Sequence, residues 1–339
     1  MLLVSDIHIH PHKKELRRIE DGLECLQWVY DSAKVAGCKT VIIAGDLFHD
    51  RFLLTTYAYS KACAIIAAAP VKTLFLLGNH DMFYEDQWTV HSLSSIKEWA
   101  TVIEKPCTLD VDGYSVDFLP YTPHPSKYLP SFTNPSKILI SHLSVSDALL
   151  NAKYDILSVE DDSKEKEILS PSAFVKWKKV WLGHYHYGQK VSDIVEYLGS
   201  PMQLTYGEAG QEKHIVVFDL KTLETEYIVN NISPKFHIIE NTADIEKVDV
   251  ASSYVQFRCP EEVTSKFEMC RQLITKGARE VKFKPLKKDL SRTTQHALTN
   301  IIELFNDKNK LISGYVDSAE SYGIDKEMLK KIGLDIVSM

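Results

Sequence analysis

Five short polar strings, each directly after a short apolar run, limit what this chain can fold into. They are Asp6-Ile7-His8, Gly45-Asp46, Gly78-Asn79-His80-Asp81, Ser141-His142 and Gly183-His184-Tyr185-His186. Residues as distant in sequence as Asp6 and His186 can meet only if the apolar runs are strands whose ends share one edge. Open α/β sheets gather their sites at such an edge. Carboxylate, amide oxygen and imidazole together suit manganese, iron or zinc. A catalytic pair of ions needs a bridging group and donors for two centres about 3.5–4 Å apart. Asp46 has two oxygens and can bridge. Asn79 offers a neutral carbonyl oxygen; His142, His184 and His186 offer imidazoles. In extended backbone the i, i+2 spacing of Asp6 with His8, and of His184 with His186, aims both side chains to one side. His80, beside Asn79 and before Asp81, suits a general acid or a stabiliser of developing charge.

The residues between the strings supply the frame. Leu2–Val4, Thr40–Ile43, Val71–Leu77, Lys137–Ile140 and Lys179–Leu182 read as buried strands. Arg17–Ala36 reads as an amphipathic helix closed by Gly37, and Tyr57–Ala69 as a helix stopped by Pro70. Asp112-Gly113, between Thr108–Val111 and Tyr114–Leu119, is a hairpin signal. Ile194–Leu198, His214–Asp219 and Leu223–Val229 add strands, the last two paired. A change of composition over Asn230–Pro234 marks a domain boundary. Beyond it, Phe236–Glu240, Tyr254–Phe257, a helix over Glu261–Lys276 and Glu280–Phe283 suggest a small α/β module. Residues 287–339 read as helical.

A length of 339 residues fits two or three domains. A net charge of −7 counts against a broad basic surface for nucleic acid but leaves room for local basic patches. The six cysteines contain no C-x-x-C pair, so no disulfide framework is expected. Met1–Val4 runs straight into the first string without a leader pattern, and no apolar stretch reaches the ~18 residues that span a bilayer. A cytoplasmic chain without a membrane segment is expected. No G-x-x-x-x-G-K string is present, so any ATP dependence must come from a partner.

In this order the strings resemble the signature of the calcineurin-like metallophosphoesterases. More narrowly, Gly45-Asp46-Leu47-Phe48-His49-Asp50, and Tyr197-Leu198-Gly199-Ser200-Pro201 followed by Gly207-Glu208, resemble the SbcD-type nuclease subunits of DNA double-strand-break repair, phage recombination nucleases included. The resemblance implies an α/β fold in three parts. Residues 1–231 would form a metallophosphoesterase β-sandwich flanked by helices. Residues 232–286 would form a small α/β cap that touches DNA. Residues 287–339 would form a helical tail that binds an SbcC-like ABC-type ATPase subunit. It further implies two divalent ions, foremost manganese. Asp6, His8, Asp46 and His186 would hold one; Asp46, Asn79, His142 and His184 would hold the other. His80 would assist the leaving oxygen, oriented by Asp81, and His49 would sit near the substrate phosphate. A homodimer is implied by the family alone. Where the family continues D-x-H with Leu-Gly, this chain has Ile9-His10 and then His12, which read as exposed loop histidines.

The implied reaction is hydrolysis of DNA phosphodiesters. The metal strings alone imply only a phosphoester hydrolase, so a small-molecule phosphodiesterase or a phosphoprotein phosphatase with the same core is the alternative. A metal-free scaffold that bridges an ATPase to DNA is a third. Among basic clusters, Lys282, Lys284, Lys287 and Lys288 rank first for phosphate contact, against a plain solvated surface.

Overall fold

A computed structural model describes residues 1–11, 16–148, 167–259, 266–285, 325 and 328–331. The chain opens with β1 (Leu2–Val4), α1 (Leu16–Val35), β2 (Thr40–Ala44), α2 (Thr56–Ala67) and β3 (Lys72–Leu76). A short hairpin follows, β4 (Met82–Tyr84) and β5 (Gln87–His91), then β6 (Thr101–Ile103), β7 (Cys107–Val111), β8 (Tyr114–Leu119) and β9 (Ile138–His142). Next come β10 (Lys179–Gly183), β11 (Gln189–Lys190), β12 (Val195–Tyr197), β13 (His214–Phe218) and β14 (Thr225–Val229). The last described elements are β15 (Phe236–Ile239), β16 (Tyr254–Cys259), α3 (Lys266–Thr275) and β17 (Glu280–Pro285).

Two six-stranded sheets, β14-β13-β1-β2-β3-β6 and β11-β12-β10-β9-β8-β7, pack face to face. Leu3, Ile42 and Leu74 of the first meet Phe118, Ile140 and Trp181 of the second. The opposite side of the first sheet is closed by Leu26, Val29 and Tyr30 of α1 and by Ala58, Ala62 and Ile66 of α2. The second sheet is closed on its outer side by Phe132, Phe174 and Trp177, which come from loops and short 3₁₀ turns. Both faces of the central strands are covered, which is why those strands are continuous apolar runs, whereas the edge strands β7 and β14 are partly exposed. Every residue of β1, β2 and β9 is buried. Thr55 caps α2 by accepting from the Ala58 N–H at 3.2 Å. At the β7–β8 hairpin Asp112 and Gly113 both have positive φ, the backbone a two-residue turn with the right twist needs.

The chain is therefore an α/β protein built on a two-sheet sandwich, and the elements expected for it are in place. Two features depart from the sequence reading. The β4–β5 hairpin was not expected. His142 is the last residue of β9 itself, not a residue beyond the strand. A three-stranded sheet, β15-β16-β17, follows with α3, and Met1–Arg258 with Thr264–Phe283 form one compact unit. The helical tail expected over 287–339, together with His12, lies outside the described residues, apart from Asp325 and a helical turn at Met328–Lys331.

A buried polar knot ties the small sheet to α1. Asp21, on α1, accepts from the Tyr254 hydroxyl at 2.6 Å and pairs with Arg279. The Arg18 guanidinium lies over the Phe236 and Tyr254 rings, 4.8 and 4.6 Å from their centroids, and donates to the Leu204 carbonyl. Asp21→Ala would leave a phenol and a largely buried guanidinium without their shared acceptor. Breaking a buried pair from one side costs about 3–5 kcal/mol. Urea denaturation is expected to show that loss; a change under 1 kcal/mol, about the size of an exposed pair, would remove the knot from the stability of the joint.

Candidate metal centre

The five strings meet at one edge of the sandwich. Asp6 and His8 leave β1, Asp46 leaves β2 and Asn79 leaves β3, all from the first sheet. His142 ends β9, and His184 and His186 leave β10, from the second. The parallel β9–β10 register sets Gly183 beside His142. After β1 the chain continues along the β2 exit, with Asp6 N–H bonded to the Gly45 carbonyl and His8 N–H to the Asp46 carbonyl.

The backbone there is not extended. Asp6, His8, Asp46 and His184 have φ of 57°, 50°, 57° and 99°. The i, i+2 convergence of Asp6 with His8 thus comes from two left-handed residues, not from strand alternation. Non-glycine residues with such φ are held there by surrounding structure and concentrate at functional sites. Close packing supports them: a Cβ on Gly78 would fall 2.1 Å from Asp46 Oδ1.

Asp6, Asp46 and His142 form the buried floor, and His49, His80, His184 and His186 are partly exposed above them. Asp46 sits centrally. Its Oδ2 is 3.2 Å from His142 Nε2 and 3.6 Å from His8 Nε2, and its Oδ1 accepts the His80 N–H at 2.9 Å. Asn79 Oδ1 is 3.1 Å from His142 Nε2 and 2.9 Å from His184 Nδ1. On the other side His8 Nε2 is 3.0 Å from His186 Nε2 and 3.7 Å from Asp6 Oδ1. Three sets of donors close enough to share an ion result: Asp6 with His8 and His186, Asp6 with Asp46 and His142, and His8 with His49 and His80.

These contacts fit cations. His142 Nδ1 lies 2.8 Å from the Ala44 carbonyl and spends its proton there, which leaves the Nε2 lone pair facing an amide oxygen and a carboxylate. Lone pairs aimed at each other need a proton or a cation between them. Donor atoms on an octahedral ion at about 2.1 Å stand roughly 3 Å apart, the spacing found here. A second layer orienting imidazoles through their other nitrogen is usual for metal-holding histidines. Burial would depress the His142 imidazole, but the Asp46 carboxylate outweighs it and lifts the group to about 9. Burial also works against the Asp46 charge; His142 and His80 overcome it and hold Asp46 far below the usual carboxylate range. Burial and the neighbouring His142 push His184 down to about 3. Burial and His80 do the same to His49. Neutral imidazole and ionised carboxylate are the forms that bind metal. His184, His49 and Asp46 already have them, and at His142 an ion would take the place of the Nε2 proton that Asp46 otherwise holds there.

Two expectations are corrected here. Asp81 does not orient the His80 ring. Its carboxylate accepts from the backbone N–H of Asp46, Leu47 and Gly78 at 2.8, 3.2 and 2.9 Å, and so fastens two of the strings together. The His80 ring instead places Nδ1 2.5 Å from the His49 carbonyl oxygen, and the two rings stack at 5.0 Å. His10 is not an exposed loop residue. It is partly buried with its ring 4.5 Å from that of His49, at the rim of the cluster.

Sequence reasoning gave no role to Glu208. This buried carboxylate lies 3.3 Å from His186 Nδ1, accepts from Ser200 and the Leu204 N–H, and pairs with Lys213 at 2.8 Å. Burial opposes its charge, but Lys213 and His186 bring it to about 2. The Gly207-Glu208 string held the signal; a reach back to His186 is set by the loop between β12 and β13. Of the basic cluster, Lys282 on β17 pairs with Glu280 at 2.8 Å and Lys284 is exposed, while Lys287 and Lys288 lie outside the described residues.

No helix among the described residues is long and apolar enough to cross a membrane. The profile of the calcineurin-like phosphoesterases matches residues 1–200. The chain is 27% identical over 224 residues to exonuclease subunit 1 of Enterobacteria phage T4, covering 62% of this chain and 61% of that protein. It thus spans about six tenths of the length of that relative. Among solved structures it is similar to an archaeal phosphodiesterase, at 13% identity over 68% of this chain and 98% of that one, with a TM-score of 0.36. It is also similar to the Pseudomonas putida nuclease MPE, at 15% identity over 63% and 82%, with a TM-score of 0.33. Because the profile covers more than half of its length, the chain belongs to the calcineurin-like phosphoesterase family.

Proposed function

We propose that the chain is the nuclease subunit of an SbcCD-like complex that hydrolyses DNA phosphodiesters in repair or recombination, and that manganese is its ion. The observation that carries this reading is the central Asp46 carboxylate, 3.2 Å from His142 of the opposite sheet and 3.6 Å from His8 of its own. One site would use Asp6, His8, Asp46 and His186, the second Asp46, Asn79, His142 and His184. When bound, the ions supply charge neutralisation at the phosphoryl oxygens and a nucleophile at neutral pH. The chain's own residues do the rest. Asp46 holds both sites in one frame. Glu208 fixes the tautomer and tilt of His186. His80, with Nδ1 turned to the His49 carbonyl, presents Nε2 to the expelled oxygen. His49 lines the phosphate side.

The likeness to a phage exonuclease subunit supports DNA as substrate and a multi-chain assembly. We assign residues 232–286 to a cap over the DNA, with Lys282, Lys284, Lys287 and Lys288 as phosphate contacts, and residues 287–339 to docking on an ABC-type ATPase. A homodimer within that assembly and work in the cytoplasm, where DNA is met, complete the reading. The test offers manganese-loaded protein linear duplex DNA, an aryl phosphodiester and a phosphopeptide, alone and after co-expression with the neighbouring reading frame. Release of nucleotides from DNA is expected. Hydrolysis of the aryl ester or phosphopeptide with intact DNA would overturn the nuclease assignment; no hydrolysis of any would overturn the enzyme.

A further inference from the structure

The two strings that carry His49 and His80 do not end at those rings. Each continues outward for three residues to an exposed phenylalanine. Phe52 is 71% exposed and Phe83 40% exposed, and their rings meet edge to face at 5.3 Å. Tyr84, 49% exposed, packs at 4.7 Å against Phe83. The ridge is built, not frayed. The Asp50 carboxylate accepts the N–H of Phe52 and of Leu53 and so fixes the turn that projects the first ring. Arg51 pairs with Glu85 at 2.7 Å and ties that turn to the β4–β5 hairpin.

Three residues reach at most about 10 Å. The Cα atoms of Phe52 and Phe83 therefore lie within about 10 Å of those of His49 and His80, which puts the rings within a few nucleotides of the group placed at the scissile phosphate. Contiguous exposed apolar patches of some hundreds of Å² are often binding surfaces. The rings together offer roughly 300 Å², from about 200 Å² for each ring when fully exposed. That is well short of the ~800 Å² per partner of a stable protein interface. It matches one or two nucleobases, which stack on aromatic faces whatever their identity. Of the neighbouring acidic groups, Asp50 is turned onto backbone N–H groups and Glu85 is paired with Arg51, while Asp86 is exposed at the hairpin turn.

We infer that Phe52, Phe83 and Tyr84 form a stacking platform for unpaired bases next to the scissile phosphate, so that the substrate strand enters the site single-stranded. This rests on the nuclease reading. It makes the three rings positioning residues and predicts preference for frayed or single-stranded ends.

The probe is a short single-stranded oligonucleotide carrying 2-aminopurine, mixed with the full chain in calcium in place of manganese. Stacking is expected to quench the base. Phe52→Leu with Phe83→Leu keeps apolar bulk without a ring, and should abolish quenching and weaken binding about ten- to hundredfold. Phe52→Tyr with Phe83→Tyr should retain both. Wild-type binding by the leucine variant would overturn the platform. So would a wild type that degrades DNA without quenching the base, and that result would leave the nuclease reading standing. If the leucine variant turns a dimer into a monomer with oligonucleotide binding intact, the ridge joins two copies instead. A wild type that neither binds nor degrades DNA would overturn the nuclease reading itself.

Discussion

Asp46→Ala is expected to empty both ion sites and reduce phosphodiester hydrolysis at least ~10³-fold, since a bound ion pair contributes several kcal/mol of transition-state stabilisation. The reason is positional. Asp46 reaches His142 of the second sheet and His8 of the first, and its other oxygen accepts the His80 N–H. Its loss removes the negative charge that His142 faces and the anchor of the next string. Asp46→Asn separates these effects, keeping the shape and the His80 contact while removing the charge. Metal content by mass spectrometry and manganese titration calorimetry measure the outcome. Glu208→Gln gives the graded comparison, because it touches His186 and no ion; weakening an outer partner costs about 10–100-fold in metal affinity. Two ions retained in Asp46→Ala would end the bridging assignment.

His80→Ala should do the opposite: keep ion binding and lose about 10²–10⁴-fold in turnover, the range for a displaced acid catalyst. The ring is partly exposed above the buried floor, and its Nδ1 is occupied by the His49 carbonyl. That leaves Nε2 for the substrate. The loss should fall on kcat, because the interaction forms as the leaving oxygen gains charge. A substrate with a good leaving group, such as a nitrophenyl ester, should suffer least. An equal loss on good and poor leaving groups would turn His80 from an acid into a phosphate-positioning group, and an unchanged rate would remove it from the reaction.

Much of this was legible in the residues because burial on both faces leaves a plain mark. Continuous apolar runs such as Val41-Ile42-Ile43 could be nothing but inner strands, and Asp112-Gly113 could be little but a turn. The donors were legible because buried carboxylate and imidazole are rare without a purpose. What could not be read was how the donors are aimed. Two-residue alternation was the wrong device for Asp6 and His8, whose left-handed φ depends on what Gly45 and Asp46 offer across the gap. Asp81 looked like a partner for its neighbour in sequence, yet it accepts from the backbone N–H groups of Asp46 and Leu47 in another string and of Gly78 in its own. Glu208 lies twenty-two positions from His186, a distance set by tertiary packing. The β4–β5 hairpin escaped because its turn, Glu85-Asp86, carries none of the glycine or asparagine that marks tight turns.

The split origin of the donors has a mechanical meaning. Asp6, His8, Asp46 and Asn79 belong to one layer, and His142, His184 and His186 to the other. Within each layer the strands are laced by hydrogen bonds; between layers the contacts are mainly apolar, with a few hydrogen bonds such as His142 Nδ1 to the Ala44 carbonyl, the His184 N–H to Asp6 and Tyr227 to Glu196. Cations seated at the seam would act as rivets. Their departure would leave the seam to the apolar contacts and these few hydrogen bonds, and would set like lone pairs facing one another across it.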